Sequence, residues 1–443
     1  ELDIWNSGSA SEWALFSYFG SASYSFDNKY LITANLRADA SSRFAENNQW
    51  GYFPSVSAGW KISDEAFLSD VDWLSNLKFR ASWGILGNQE IDNYTYLTLI
   101  SQENGIVKTN RFGNPDLKWE SSEQTNFGVD LGLFQNKLNI TAEYFNKYTS
   151  DILLPISLPS IVGNVQPTIL NAGEVRNKGF ELSVNYQNSD KEFKYSINAN
   201  LAALDNEVEK LHPNLPNIVG QVTRTTVGQP LNAYYGYRME GIYQNQAEID
   251  QHLSGTPNPS AKPGDIRFKD LNGDGVISAD NDREFIGSPI PDLTFGLVFN
   301  SSYKGWDFSF LFQGVEGVDR YNDGKKIVDY DTRPFNFTTA ILNAWDGENS
   351  TNSVPRVAFE DNGSSRISSI FVEDASYIRL KNIELGYTLK DISGINALRL
   401  YISGQNLWTS TDYTGLDPET TDLIDKGTYP SSASVLLGLN AKF

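Results

Sequence analysis

Asp270, Asn272 and Asp274 stand at alternate positions, Gly275 follows directly, and Val276 offers a backbone carbonyl one place further on. Carboxylate or amide oxygens at positions 1, 3 and 5, glycine at 6 and a carbonyl at 7 form the opening of a calcium loop. Calcium takes six to eight hard oxygens on a flexible arc, and odd spacing in a coiled loop turns successive side chains inward. At position 12 the usual bidentate glutamate is replaced by Asn281, flanked by Asp280 and Asp282, either of which can substitute. We take Asp270, Asn272, Asp274, Val276, Asp280 and Asp282 as candidate ligands of a structural Ca2+, a brace rather than a catalyst. No EF-hand helices are evident around them. The alternative is a solvated Asp/Asn/Gly turn, because those residues favour tight and left-handed turns without any ion.

Other reactive residue types do not assemble. His212 and His252 are isolated, and without cysteine they make no metal or nucleophile set. The pairs Asp280/Asp282 and Asp417/Glu419 could mimic the two carboxylates of a glycosidase, but in loops they read as solvated acids. Trp345, Tyr234, Tyr235, Tyr237 and Trp408 lie in or beside long connections, where they could stack on sugar rings. Interfacial belts of membrane proteins use the same residues, and that reading is preferred for Trp408. Asn139-Ile140-Thr141 fits the glycosylation pattern but lies inside a predicted strand, as a chance match. No catalytic residue and no enzymatic activity are expected.

The elements that would carry these loops are strands. At the end of the chain Ala433, Val435, Leu437, Leu439, Ala441 and Phe443 share one face with period two. Ser434, Gly438, Asn440 and Lys442 share the other, and Leu436 is the misfit. Such alternation recurs near 15–26, 30–39, 52–61, 77–86, 120–134, 137–152, 175–188, 192–206, 292–303, 305–315, 377–389, 397–408 and 432–443. Short connections (27–29, 135–137, 188–191, 304–305, 390–396, and 62–76 with a helical turn at Glu65–Leu68) alternate with long ones (40–51, 87–119, 153–174, 207–291, 316–376, 409–431). Bacterial outer-membrane barrels have short periplasmic turns and long extracellular loops, whereas a soluble sandwich has no reason to gather its long loops at one end. The parity predicts a periplasmic C-terminus.

Composition agrees with an all-β, transmembrane, antiparallel up-and-down barrel. No run of about 18 apolar residues exists, which excludes a helical membrane protein, while alternation in a barrel cancels in any average. Aromatics make up 13% of residues, as interfacial girdles require. Cysteine is absent, so there is no disulfide framework. The net charge of −20 argues against nucleic acid as a partner. Single-chain bacterial barrels have even strand numbers, and an odd count of thirteen candidates suggests missing strands. Glu1 begins in mid-pattern with no signal peptide, so a processed protein or a fragment is expected.

Several blocks resemble one family. They are Lys29-Tyr30-Leu31-Ile32-Thr33 with Arg37-Ala38-Asp39-Ala40-Ser41-Ser42-Arg43-Phe44, and Trp50-Gly51-Tyr52-Phe53-Pro54-Ser55 with Ala58-Gly59-Trp60. Leu77-Lys78-Phe79-Arg80-Ala81-Ser82-Trp83-Gly84, Tyr377-Ile378-Arg379-Leu380-Lys381-Asn382, Tyr401-Ile402-Ser403-Gly404-Gln405-Asn406-Leu407 and Gly415-Leu416-Asp417-Pro418-Glu419 continue the set. Together they resemble the SusC/RagA-type TonB-dependent transporters of Bacteroidetes. Ala40, where glycine is usual, and Ser432-Ala433-Ser434 are the visible departures.

The resemblance implies a 22-stranded barrel closed by a plug. This chain, 1–443, would then be the C-terminal part, with plug and about nine strands absent. It implies import of oligosaccharides or peptides, energised by TonB through the absent N-terminal part. It also implies a SusD-like surface lipoprotein as lid, and outer-membrane lipid and lipopolysaccharide around the barrel. The 207–291 connection, which holds the candidate calcium turn, and the 316–376 connection would be large extracellular loops forming the lid contact and part of the substrate vestibule. A passive porin or surface-structural barrel and a soluble calcium-dependent glycan-binding protein remain as alternatives.

Overall fold

The computed structural model describes residues 8, 10–103, 106–156, 161, 165–257, 259–330, 336–358, 360, 362–392 and 394–443. The stretch Glu1–Ser7 lies outside the described residues. The chain divides into two compact units, Glu1–Leu182 with Asp205–Pro216, and Ser183–Leu204 with Asn217–Phe443.

One sheet holds thirteen strands in sequence order. They are β1 (Leu15–Phe26), β2 (Tyr30–Ser41), β3 (Trp50–Lys61), β4 (Leu74–Asn88), β5 (Glu120–Leu133), β6 (Leu138–Ser150) and β7 (Gly173–Asn188), then β8 (Lys194–Leu211), β9 (Leu293–Tyr303), β10 (Trp306–Glu316), β11 (Tyr377–Ile392), β12 (Ile395–Thr411) and β13 (Ser434–Lys442). Every predicted alternation coincides with one of them. Tight hairpins need residues at positive φ to match strand twist. Asp27 and Asn28 (φ 51° and 53°) supply them between β1 and β2, and Lys304 and Gly305 (φ 47° and 91°) between β9 and β10. Between β3 and β4 the predicted helical turn is a pair of 3-10 turns, Ile62–Asp64 and Ala66–Leu68.

In the first unit, Phe26, Tyr30, Trp60, Phe79 and Val129 are successive cross-strand partners. The next row is Tyr24, Ile32, Ala58, Ala81, Phe127 and Tyr144. The opposite face carries Arg80, whose guanidinium lies 2.6 Å from Glu143 and 3.5 Å from Asp130. In the second unit, Tyr303, Trp306, Tyr387, Leu400 and Leu439 form the apolar row. There Arg399 sits on the other face with Asp307 and, at 2.5 Å, Glu384. The apolar rows are open: Leu437 is 83% exposed and Phe26 59%. Soluble monomers rarely expose contiguous apolar patches beyond a few hundred Å². Burying such surface gains about 25 cal/mol per Å², so this face is built for hydrocarbon and the charged face for water.

One irregularity resets this alternation. The register shifts at Leu311/Phe312 between β10 and β11, and at Leu380/Asn382 between β11 and β12, where Asn406 has φ 51°. Below the shift Ile383, Leu385 and Tyr387 share the apolar face. Above it Arg379, also odd-numbered, pairs with Gln313 on the polar face and donates to Thr409 Oγ1 at 2.9 Å.

The tightest packing lies outside the sheet. The largest fully buried side chains, Tyr234, Tyr321, Phe44, Phe371 and Leu117, all belong to long connections. In the first unit Phe44, Phe53, Leu117 and Trp119 cluster. In the second, strands Asn217–Val219, Thr223–Thr226, Ala233–Tyr237 and Arg283–Gly287 make a small sheet. A second small sheet places Asp319–Asn322 between Val372–Asp374 and Ile424–Asp425. Val222, Tyr234, Tyr321 and Phe371 form their common core.

Candidate functional site

Strand Asp319–Asn322 ends where the Asn322 side chain accepts from the Lys325 N–H at 2.9 Å, which caps a short helical turn. That turn aims Lys325 at the neighbouring strand, where its Nζ meets Glu373 Oε1 at 2.7 Å and donates to the Ile370 carbonyl at 3.1 Å. Thr414 donates to the same carboxylate through its N–H at 2.9 Å and through its hydroxyl. Burial pushes the Glu373 carboxyl up, but Lys325 and Thr414 outweigh it, and the group is held below the usual range. Asp425 follows the same logic: burial opposes ionisation, while the Thr428 and Gly427 N–H groups and the Tyr413 hydroxyl (2.7 Å) favour it, for a net lowering.

Asn322, Lys325, Thr414, Asp425 and Gly427 of this set line a cavity of about 950 Å³ within the second unit. Met239, Val328, Ile370, Val354 and Leu416 give it aliphatic walls, and Asn322, Thr338, Asn352, Ser353 and Thr414 give it polar points. Asn352 is fixed by the Ile242 N–H at 2.8 Å, and Asp329 by the Thr338 N–H and hydroxyl at 3.0 and 2.7 Å. Ligand pockets are of this size and mix, mostly apolar with a few oriented polar groups. Glu240, Lys325, Asp329 and Asp425 each have a partner, so the arrangement is suited to bind and orient. Sequence reading missed this site because its walls come from stretches around 240, 325, 352, 370 and 415–427. Most of these stretches belong to the 207–291 and 316–376 connections, and of the family-like blocks only Gly415-Leu416 contributes.

The candidate calcium residues do come together in one turn. Asp270 accepts from the Gly273 and Gly275 N–H groups at 2.8 and 2.7 Å, and Asp274 from Val276 at 2.8 Å. Asn272 bonds Asp274 at 2.8 Å. Asp282 is fully buried and accepts from the N–H groups of Leu271 and Ser278 at 3.0 and 2.7 Å, while Asp280 is exposed. Among the described residues no group of three or more His, Cys, Asp or Glu is placed to hold a metal ion. The turn is self-satisfied through its own backbone.

The structure also places the other candidates. Asp417 and Glu419 are not solvated acids: Arg379 contacts both at 2.5 Å, and Lys381 reaches Glu419 at 2.7 Å. Tyr234 is buried, with its hydroxyl on the Leu423 carbonyl at 2.7 Å, so it is core rather than a stacking surface. Tyr235 lies under Arg224 at 3.7 Å, and Tyr237 packs near Phe268. Trp345 donates to Gln244 at 3.1 Å, whereas Trp408 is half exposed beside Phe312 on the apolar face. His212 and His252 belong to different units.

A family model described as "TonB dependent receptor-like, beta-barrel" matches residues 3–407. TonB-dependent receptor P3 of Formosa agariphila is 36% identical across 98% of this chain and 46% of its own length. TonB-dependent receptor SusC of Bacteroides thetaiotaomicron is 32% identical across 97% of this chain and 44% of its own. The chain thus spans about half the length of the curated relatives it matches. Among solved structures, the RagAB peptide transporter superposes with a TM-score of 0.85 at 28% identity, over 98% of this chain and 48% of that one.

Proposed function

This chain belongs to the TonB-dependent receptor β-barrel family, and on that premise we propose that it is the barrel portion of an active outer-membrane importer. The likeness to the RagAB peptide transporter over nearly the whole chain carries the reading. In it the apolar rows of each unit meet lipid, and the charged face of each, with Arg80 in the first and Arg399 in the second, meets water. The short turns lie in the periplasm with the C-terminus, and the long connections project outward. TonB supplies the energy through parts of the protein beyond these residues. A SusD-like lipoprotein closes the assembly over the long connections.

The substrate class is a short peptide, with an oligosaccharide as the other outcome. Aliphatic walls at Met239, Val328, Ile370 and Leu416 suit peptide side chains. The tyrosines that could have stacked on sugars are occupied in packing. The Asp270–Asp282 turn is proposed to gain Ca2+ as a brace, using Asp270, Asn272, Asp274 and the Val276 carbonyl. Calorimetric titration of the whole protein with Ca2+ tests this, and absence of heat overturns it. Uptake of labelled peptides by cells with and without TonB tests the transport reading. TonB-independent uptake would mean a passive pore. Deleting 240–285 should abolish lipoprotein co-purification while the barrel stays inserted, and intact co-purification would refute the lid contact.

A further inference from the structure

Within the first unit the apolar face is not uniform. Ala58 and Ala81 are direct cross-strand partners, and they sit among Tyr24, Trp60, Phe79 and Phe127. Two methyl groups surrounded by large rings leave a depression of about 620 Å³, lined almost wholly by apolar atoms. Its end toward the short turns is held rigid. Tyr30 stacks on Trp60 with centroids 6.2 Å apart, and Glu65 accepts from the Tyr30 hydroxyl at 2.6 Å and the Trp60 Nε1–H at 3.0 Å. Lys29 lies 3.4 Å from both Glu65 and Asp27, and the Asp27 carboxylate is 67% exposed. The two turns at this rim carry Asp27, Asp64, Glu65, Asp70 and Asp72 against Lys29. Lys78 packs against Gly59, on the polar face of the sheet.

We propose that this depression is a binding niche for one amine-headed zwitterionic phospholipid, with an acyl chain lying over Ala58 and Ala81 and its ammonium at Asp27 and Glu65. Three features point to this occupant. Small residues ringed by aromatics form a slot of acyl-chain width on a face built for hydrocarbon. The slot opens where hydrogen-bonding tips sit at headgroup level, as in interfacial belts. The rim carries net negative charge, which attracts an ammonium and repels an anionic head. Lys29, flanked by the two acids, is the partner for the phosphate. The inference rests on the membrane reading above, which makes this lipid a member of the periplasmic leaflet.

The test is native mass spectrometry of the full-length protein, purified in detergent, delipidated, and titrated with phosphatidylethanolamine or phosphatidylglycerol. One phosphatidylethanolamine should survive on the wild type. Ala81→Leu, which fills the slot, should lower its occupancy at least tenfold. Asp27→Asn, which keeps a residue suited to positive φ, should lower it severalfold, and Glu65→Gln should do the same. Heat-modifiable migration on gels reports folding, and Ala58→Val serves as the second slot variant if Ala81→Leu fails to assemble. Equal retention in wild type and slot variants would identify only loose surrounding lipid and overturn the niche. Preference for phosphatidylglycerol would overturn the headgroup assignment. A protein found in the aqueous fraction without detergent would sink the membrane reading itself, whereas a detergent-bound protein without lipid sinks only this proposal.

Discussion

Arg379 offers the sharpest test of how a long connection is tied to the sheet. Its guanidinium is buried, 2.5 Å from Asp417 and 2.5 Å from Glu419, and Asp417 also accepts from the Ser431 and Glu419 N–H groups at 2.8 and 3.0 Å. Burial raises the Asp417 carboxyl, but Arg379 and the backbone donors outweigh it, and the group sits at about 2 instead of its ordinary 3.8. A depressed carboxylate contributes stability that is complete above its unfolded value and disappears as pH falls through its folded value. The difference corresponds to about 2–3 kcal/mol, or roughly a 60-fold change in the opening of the connection that holds Asp417. About half of that contribution should be gone at pH 3. Hydrogen exchange of peptides within 412–431 in the solubilised full-length protein, corrected for intrinsic rates, measures it. Asp417→Asn at pH 7 should open like the wild type at low pH. Arg379→Met should open further, because a buried carboxylate without its partner costs about 3–5 kcal/mol. Opening constants within threefold of one another for wild type at pH 7, wild type at low pH and Asp417→Asn would refute the reasoning.

Two buried tyrosines should respond oppositely to loss of the hydroxyl. Tyr234→Phe removes the bond to the Leu423 carbonyl and should cost about 1 kcal/mol, whereas Tyr321→Phe removes a buried hydroxyl that has no partner among the described residues and should be neutral or stabilising by thermal melting. Asp282→Ala strips the N–H groups of Leu271 and Ser278 of their acceptor and should loosen that turn by about 1–3 kcal/mol, seen as faster proteolysis with or without Ca2+. Leu437→Arg replaces an 83% exposed residue, harmless on a soluble surface, yet should cost about 2–4 kcal/mol and reduce assembled barrel in membranes.

The strands were legible because one face meets hydrocarbon and the other water, so Phe180/Leu182/Val184 and Leu398/Leu400/Ile402 had to alternate. Their ends were less so. β8 continues to Leu211 although alternation fades near 206, since a hydrogen-bond ladder is indifferent to whether Glu207 and Glu209 are polar. The pocket was illegible for a different reason. Its residues serve a core made of long-range contacts, and nothing local marks Asn322, Thr414 and Asp425 as neighbours. Composition misled at Tyr234, since a tyrosine that stacks on a ligand and one that fills a core look alike in sequence. Asp417 misled likewise, because its partner Arg379 lies on a strand.

The shift at Leu380/Asn382 turns β11 into two segments read in different phase. Arg379 and Leu385 are both odd-numbered, yet one faces water and the other lipid, so the chain carries a frame marker inside a single strand. Lys381 is the extra residue between the two phases: deleting it would join Leu380 to Asn382 in uninterrupted alternation and leave Arg379 on the water face, still beside Asp417 and Glu419. A two-residue deletion that also removed the bulge would instead put Arg379 in the phase of Leu385, toward the membrane. Loss of a single residue here should therefore go together with loss of the bulge, and strands grafted between relatives must be joined in frame at this point.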